Sequence, residues 1–236
     1  MTHSKTILTL TLAASSFLQT ACKNAQTNTV NAVKPVIVTD AVRYDSDDPA
    51  IWINKSDPSK SLVIATDKDA NGALFVYDLQ GKTVEEKVVS NLKRPNNVDV
   101  AYGLVLGGKP IDIAVTTERM THKLRVFSLP DMKPIDQGGL DMFVGETGPE
   151  FRDLMGIALY TSPKGEIYAI VGRKNGPKDG YLGQYLLEDN GSGKLRATLV
   201  RKFGSFSGKK EIEAIAVDNE LGYIYYSDEQ DGGKQY

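Results

Sequence analysis

From residue 34 onward the chain carries short apolar runs of four to seven residues, rich in Val, Ile and Tyr, broken by turns of Gly, Asp, Asn and Lys-Pro. No long stretch holds apolar residues at helical spacing, so the pattern predicts strands throughout. The runs repeat in sets. The first set is "DPAIWI", "NNVDVAY", "MGIALY" and "EIEAIAVD"; the second is "SLVIATDK", "IDIAVTTER", "IYAIVGRK" and "GYIYYSDE". A third set, "ALFVYDL", "KLRVFSL" and "YLGQYLL", follows three of these, and "TVEEKVVS" and "RATLVRKF" read as a weaker fourth strand. Lys68, Arg119, Lys174 and Glu229 stand at equivalent places, 51, 55 and 55 residues apart. A period near 50 with four antiparallel strands per unit predicts an all-β fold, a β-propeller with about four blades in this chain.

That geometry gives the charged residues a common location. In a meander, the start of strand one and the end of strand two lie at the same edge, and strand one lines the central channel. Strand-one starts carry Asp47 and Asp48, Asn97 and Asp99, and Glu213. Strand-two ends carry Asp67 and Lys68, Glu118 and Arg119, Arg173 and Lys174, and Asp228 and Glu229. Singly, each has an ordinary explanation: Asp-Pro opens many strands, Asn-Asn makes turns, and edge charges deter aggregation. Their coincidence in four units favours a site at one mouth. Acids and bases together suggest an anion bridged to protein by hard cations held on carboxylates.

Composition narrows the chemistry. The 236 residues are 41% hydrophobic and 25% charged, with 28 Lys+Arg against 30 Asp+Glu and a net charge of −2. No basic run marks a nucleic-acid footprint. One cysteine and two histidines exclude an internal disulfide, a Cys-x-x-Cys site and a zinc centre of several imidazoles. Phosphatases built on Arg-His-Gly or Cys-x5-Arg are also excluded, since neither string occurs.

The N-terminus reads as a targeting segment. Lys5 precedes an apolar stretch from Ile7 to Leu18, too short to span a bilayer, and then "LQTAC". Residues 1–22 are expected to be a signal peptide with a lipobox, Cys22 the lipidated residue, 23–33 a tether, and 34–236 the propeller portion. The expected location is the envelope of a Gram-negative bacterium, as a membrane-anchored lipoprotein, with a periplasmic or secreted protein the alternative; a monomer is expected.

"DKDANGALFVYD" (67–78) matches the first half of an EF-hand loop, but position twelve is Asp78 and strands flank it, so it reads as a hairpin turn with Gly72 at positive φ. Met155, Tyr77, Phe127, Tyr160 and Tyr185 read as core.

"DSDDPAIW" and "NNVDV" resemble the two signature motifs of the β-propeller phytases, and "ATDK", "TTER", "VGRK", "IEAIAVD" and "YYSDE" fall in that family's order and spacing, from about residue 40 to the last. The resemblance implies a six-bladed propeller and a calcium-dependent bacterial 3-phytase. Such an enzyme hydrolyses phytate, myo-inositol hexakisphosphate, to lower inositol phosphates and phosphate, by direct attack of a calcium-activated water. Several calcium ions are implied, with phytate or calcium-phytate as partner. By position, Asp48, Glu213 and Glu229 match calcium and water carboxylates, with Asp47 and Asp228 adjacent. Lys68 and Arg119 match the residues gripping the scissile phosphate, and Lys174, beside Arg173, a neighbouring subsite.

Two departures stand out: Met155 replaces a tyrosine before the "GIALY" strand, and Asn175 replaces a glutamate after the subsite lysine. The chain ends at "DEQDGGKQY", inside a third strand, where the family continues for about two more blades; a fragment that folds poorly and is inactive by itself is expected. Two other functions compete. A propeller lactonase would need few bases at the mouth. A non-catalytic surface propeller binding inositol phosphates and calcium is the runner-up, left open by Met155 and Asn175.

Overall fold

The computed structural model describes residues 33–236, and Ile37–Tyr236 form one compact unit. The expected signal segment with Cys22, and the tether up to residue 32, lie outside the described residues. The unit is all-β: four antiparallel meanders, the blades of a propeller. The first blade is β1 (Ser46–Trp52), β2 (Leu62–Asp67), β3 (Gly72–Tyr77) and β4 (Val89–Leu92). The second is β5 (Pro95–Leu106), β6 (Lys109–Glu118), β7 (Lys123–Leu129) and the short β8 (Lys133–Pro134), with β9 (Leu140–Asp141) also paired to β7. The third is β10 (Leu154–Thr161), β11 (Ile167–Arg173), β12 (Asp179–Asp189) and β13 (Leu195–Ser205). The fourth comprises β14 (Ile212–Asp218), β15 (Tyr223–Asp228) and β16 (Gly232–Gln235).

The expected fourth strand "TVEEKVVS" is interrupted by a 3-10 turn at Glu85–Lys87, and the strand itself runs later, Val89–Leu92. The core lies between blades. Trp52, Ile64 and Leu74 pack on Val98, Ala114 and Phe127; Ile113, Val115 and Leu124 pack on Leu154, Ala169 and Tyr185; Ile170, Tyr181 and Leu182 pack on Ile224 and Tyr226. Strand alternation explains this, because each blade offers one apolar face to each neighbour.

The four blades share one irregularity. Strand one bulges at its start against the last residue of strand two: Ser46 pairs with Asp67, Pro95 with Glu118, Leu154 with Arg173 and Ile212 with Asp228, and the register then shifts. The bulge holds Asp47-Asp48, Asn96-Asn97, Met155-Gly156 and Glu213-Ala214 out of regular pairing. Bulges re-aim side chains in this way next to functional sites.

Within the 67–78 stretch, residues 68–71 make the turn between β2 and β3, with Asp67 paired to Ala73. Gly72 is not in the left-handed region, contrary to expectation. It is needed because a Cβ there would lie 2.3 Å from the Asp67 carbonyl oxygen.

Candidate active site at the channel mouth

The first strands of the four blades line an open cavity of about 1070 Å³, with Asp47, Asp48, Asn97, Glu213 and Glu229 on its wall. The bulge residues of the first, second and fourth blades meet at its rim. Lys68 Nζ lies 2.6 Å from Asp47 Oδ1 and 3.6 Å from Glu213 Oε1. The fully buried Asn96 donates through Nδ2 to Glu213 Oε1 at 2.6 Å and to Asn97 Oδ1 at 2.7 Å. Arg119 Nη2 donates to Asn96 Oδ1 and also lies against Met155 Sδ, while its Nε donates to the Leu154 carbonyl at 3.4 Å. Asn96 therefore joins an acid of the fourth blade to a base of the second. The sequence reading passed over it, because Asn-Asn reads as a turn and Glu213 is 117 residues away.

Asp48 sits behind this cluster. Its amide donates to Thr66 Oγ1 (3.0 Å) and its Oδ2 accepts from the Val98 amide (2.9 Å). Burial pushes the Asp48 carboxyl up, and the charges of Asp47 and Glu213 push the same way, against the Val98 hydrogen bond. Burial lowers the pKa of the Arg119 guanidinium, with the charge of Arg94 adding to the effect. Asp99 belongs to the scaffold: its Oδ2 accepts from the Leu159 amide at 2.7 Å, tying the second blade to the third.

Arg173 and Asp228, expected respectively to contact substrate and to hold metal, turn the other way. Arg173 is fully buried; Nε donates to the Tyr181 carbonyl (2.9 Å), Nη2 to Gly180 (3.2 Å) and Nη1 to Phe151 (3.2 Å), and Glu146 lies 3.5 Å away. Asp228 is also fully buried, accepting from the Ser207 amide and hydroxyl, both at 2.7 Å, and from Lys234 Nζ at 2.5 Å. Both occupy the last position of strand two, as do Asp67 and Glu118. Asp67 accepts from the Tyr44 and Asp45 amides, and Glu118 from the Lys93 amide. In all four blades this residue ties down the loop entering strand one.

Lys174 and Glu229, one position later, stay at the surface, Lys174 3.3 Å from Glu150 and Glu229 3.3 Å from Lys210. Such exposed pairs are worth about 0–1 kcal/mol, so either is easily given up to a ligand. Neither joins the Lys68–Asn96–Arg119–Glu213 cluster.

The oxygen-only donors Asp47, Asp48 and Glu213 suit a hard cation such as calcium; burial chiefly raises Asp48, and the smaller repulsion from Asp47 and Glu213 is what a cation would relieve. Among the described residues, no three carboxylates stand close enough to hold an ion as they are, and Lys68 bridges the gap between Asp47 and Glu213. The donors fit by chemistry; they would supply part of a coordination shell, not a closed cage.

Comparison with known proteins identifies the family. The family model described as Phytase matches residues 1–236. The chain is 33% identical over 192 residues to a protein named 3-phytase from Bacillus subtilis (strain 168), covering 79% of this chain and 46% of that protein. The chain thus spans less than half the length of that curated relative. Among solved structures, hydrazine synthase from Kuenenia stuttgartiensis aligns over 80% of this chain and 63% of its own, at 12% identity and a TM-score of 0.39, too low to carry an argument.

Proposed function

The chain belongs to the phytase family, and from that premise we propose that it serves calcium-dependent hydrolysis of phytate, with Lys68 and Arg119 gripping the phosphate that is cleaved. The observation that carries this reading is the Lys68–Asn96–Arg119–Glu213 cluster: two cations from two blades, held beside a carboxylate from a third. Phosphoryl transfer asks chiefly for positioning and charge stabilisation, and two fixed cations beside one carboxylate supply both. Arg119 offers a planar fork matched to phosphate oxygens, and Lys68 a point charge on the opposite side.

Asn96 fixes the Arg119 fork and the Glu213 carboxylate relative to each other, so neither needs to reorganise when substrate arrives. Glu213, with one oxygen held by Asn96, is placed to orient a water against phosphorus. Asp47, Asp48 and Glu213 would hold calcium, with Glu229 reaching in from the fourth blade. Calcium, when bound, would neutralise substrate charge and acidify a bound water. Lys174 would meet a neighbouring phosphate. Met155, packed against Arg119, offers no proton where a hydroxyl would, which keeps capture without hydrolysis as the second reading.

Substitution of Arg119 by Ala is expected to lower kcat/KM for phytate by about 100–1000-fold, the usual cost of losing one donor to a developing charge. Lys68→Ala is expected to act similarly without a change in melting temperature, whereas Arg119→Ala, which leaves the buried Asn96 Oδ1 without its donor, is expected to melt somewhat lower while still folding. Unchanged kcat/KM in both would remove the cluster from the reaction.

A further inference from the structure

One residue from each blade immediately precedes strand one: Asp45, Arg94, Asp153 and Glu211. Each accepts, through its carbonyl, the amide of the residue just after strand two. The distances are 2.8 Å for Lys68 to Asp45, 3.0 Å for Arg119 to Arg94, 2.8 Å for Lys174 to Asp153 and 3.2 Å for Glu229 to Glu211. They form one set of equivalent positions, each a single backbone hydrogen bond from a residue of the mouth. Three carry carboxylates; the position beside Arg119 carries a guanidinium.

Arg94 differs in backbone too. Its φ is 60°, left-handed, and it alone of the four lies there. A side-chain-bearing residue gives up about 1–2 kcal/mol to stay in that conformation. Its own amide donates to the Asp69 carbonyl at 2.9 Å, so its backbone is clamped between the hairpin turn after Lys68 and Arg119 itself. The side chain is half-buried and, among the described residues, makes no ion pair and no hydrogen bond. Arg119 makes no ion pair either, and the field of Arg94 reaches it. Two neighbouring guanidiniums repel, more strongly where they are partly desolvated. The charges of Glu213, Asp153 and Glu211 also reach Arg119 and partly offset that repulsion, but none of them forms an ion pair with either guanidinium. A strained backbone that brings an unpaired cation to a second unpaired cation is suited to receive an anion.

We infer that Arg94 is a further substrate-binding residue, which with Arg119 forms a two-guanidinium cleft for a phosphate group of a polyphosphorylated substrate. The inference rests on the function proposed above. The two planar forks would divide the oxygens of one phosphate, or bridge two adjacent phosphates of one ring.

The backbone conformation supplies a clean test. Glycine adopts φ 60° without strain, so Arg94→Gly removes the guanidinium while leaving the fold as stable or more so. In the complete gene product with calcium, Arg94→Gly is expected to raise KM for phytate about tenfold, the loss of one charge-assisted contact, with kcat within about twofold. Arg94→Lys is expected to fall between the two, and the melting temperature of Arg94→Gly to be unchanged or higher. Wild-type activity with an unchanged KM in Arg94→Gly would overturn this inference and leave the proposed function standing, and a lowered melting temperature with unchanged KM would make Arg94 a structural residue. A wild-type protein that neither binds nor cleaves phytate would overturn both.

Discussion

Burial alone would raise the pKa of Asp228, yet hydrogen bonds from Lys234 and from the Ser207 hydroxyl and amide outweigh it and hold the carboxyl below the ordinary range. A depressed carboxylate contributes stability above its unfolded pKa, about 3.9, and loses it as pH falls through the folded value. Asp228→Asn is therefore expected to cost about 2 kcal/mol at pH 7, the worth of its charge-assisted bonds. The gap to wild type should begin to narrow below about pH 4 and close only once the pH has fallen below the depressed folded pKa of Asp228, where its carboxyl is neutral. Denaturant titrations at the two pH values check this; a gap that does not depend on pH would mean that the charge is unimportant. The misreading of Asp228 and Arg173 from sequence has a simple cause. Successive residues of a strand face opposite sides, and in "GRK" and "SDE" both of the last two positions carry charge. The sequence shows two charged neighbours; only the packed loop decides which turns inward. Arg94 was passed over for a related reason: Lys-Arg-Pro reads as turn chemistry, and its clamp between Asp69 and Arg119 is a backbone matter.

Elements repeat more faithfully than residues. Thr66 Oγ1 donates to the Asn96 carbonyl at 3.1 Å, and Thr117 Oγ1 to the Met155 carbonyl at 2.6 Å. Each thus reaches the bulge of the next blade from the position before the end of strand two. At the third junction that position is Gly172, and no hydroxyl bridges; the blades instead close up. A Cβ on Gly156 would lie 1.8 Å from the Glu213 carbonyl oxygen. Gly156→Ala must push the fourth blade away, and Glu213 with it. The expected outcome is a loss of about 3 kcal/mol or more, at the upper end for overpacking, with impaired turnover even below the melting temperature. A variant with wild-type melting and turnover would show that this junction is loose. At this scale the sequence was most legible: alternation and the recurring Asp, Lys and Arg positions located the first two strands of every blade. The fourth strand of the second blade was not legible, because Pro130, Pro134, Gly138 and Gly139 interrupt it and leave only two-residue pieces. The bulges were illegible as well, since an extra residue leaves no mark in an alternating pattern.

For the molecule as a whole, nearly balanced charge conceals a concentration of charge at one mouth. A net charge of −2 gives no long-range pull on a polyanion, so recognition must be local. The repeated bulge provides that locality by delivering the Glu213 carboxylate of one blade to the Asn96 amide of another across 117 residues of chain. The function proposed above, a highly phosphorylated ring gripped by Lys68 and Arg119 with calcium on the neighbouring carboxylates, makes use of that locality. The measurement that tests this most directly is phosphate release from phytate by the complete gene product, with calcium and then with excess chelator. Release that depends on calcium and is lost in chelator is the predicted result. Equal release in chelator would contradict the role given to Asp47, Asp48 and Glu213, and bound phytate without release in either condition would make the protein a binder instead of an enzyme.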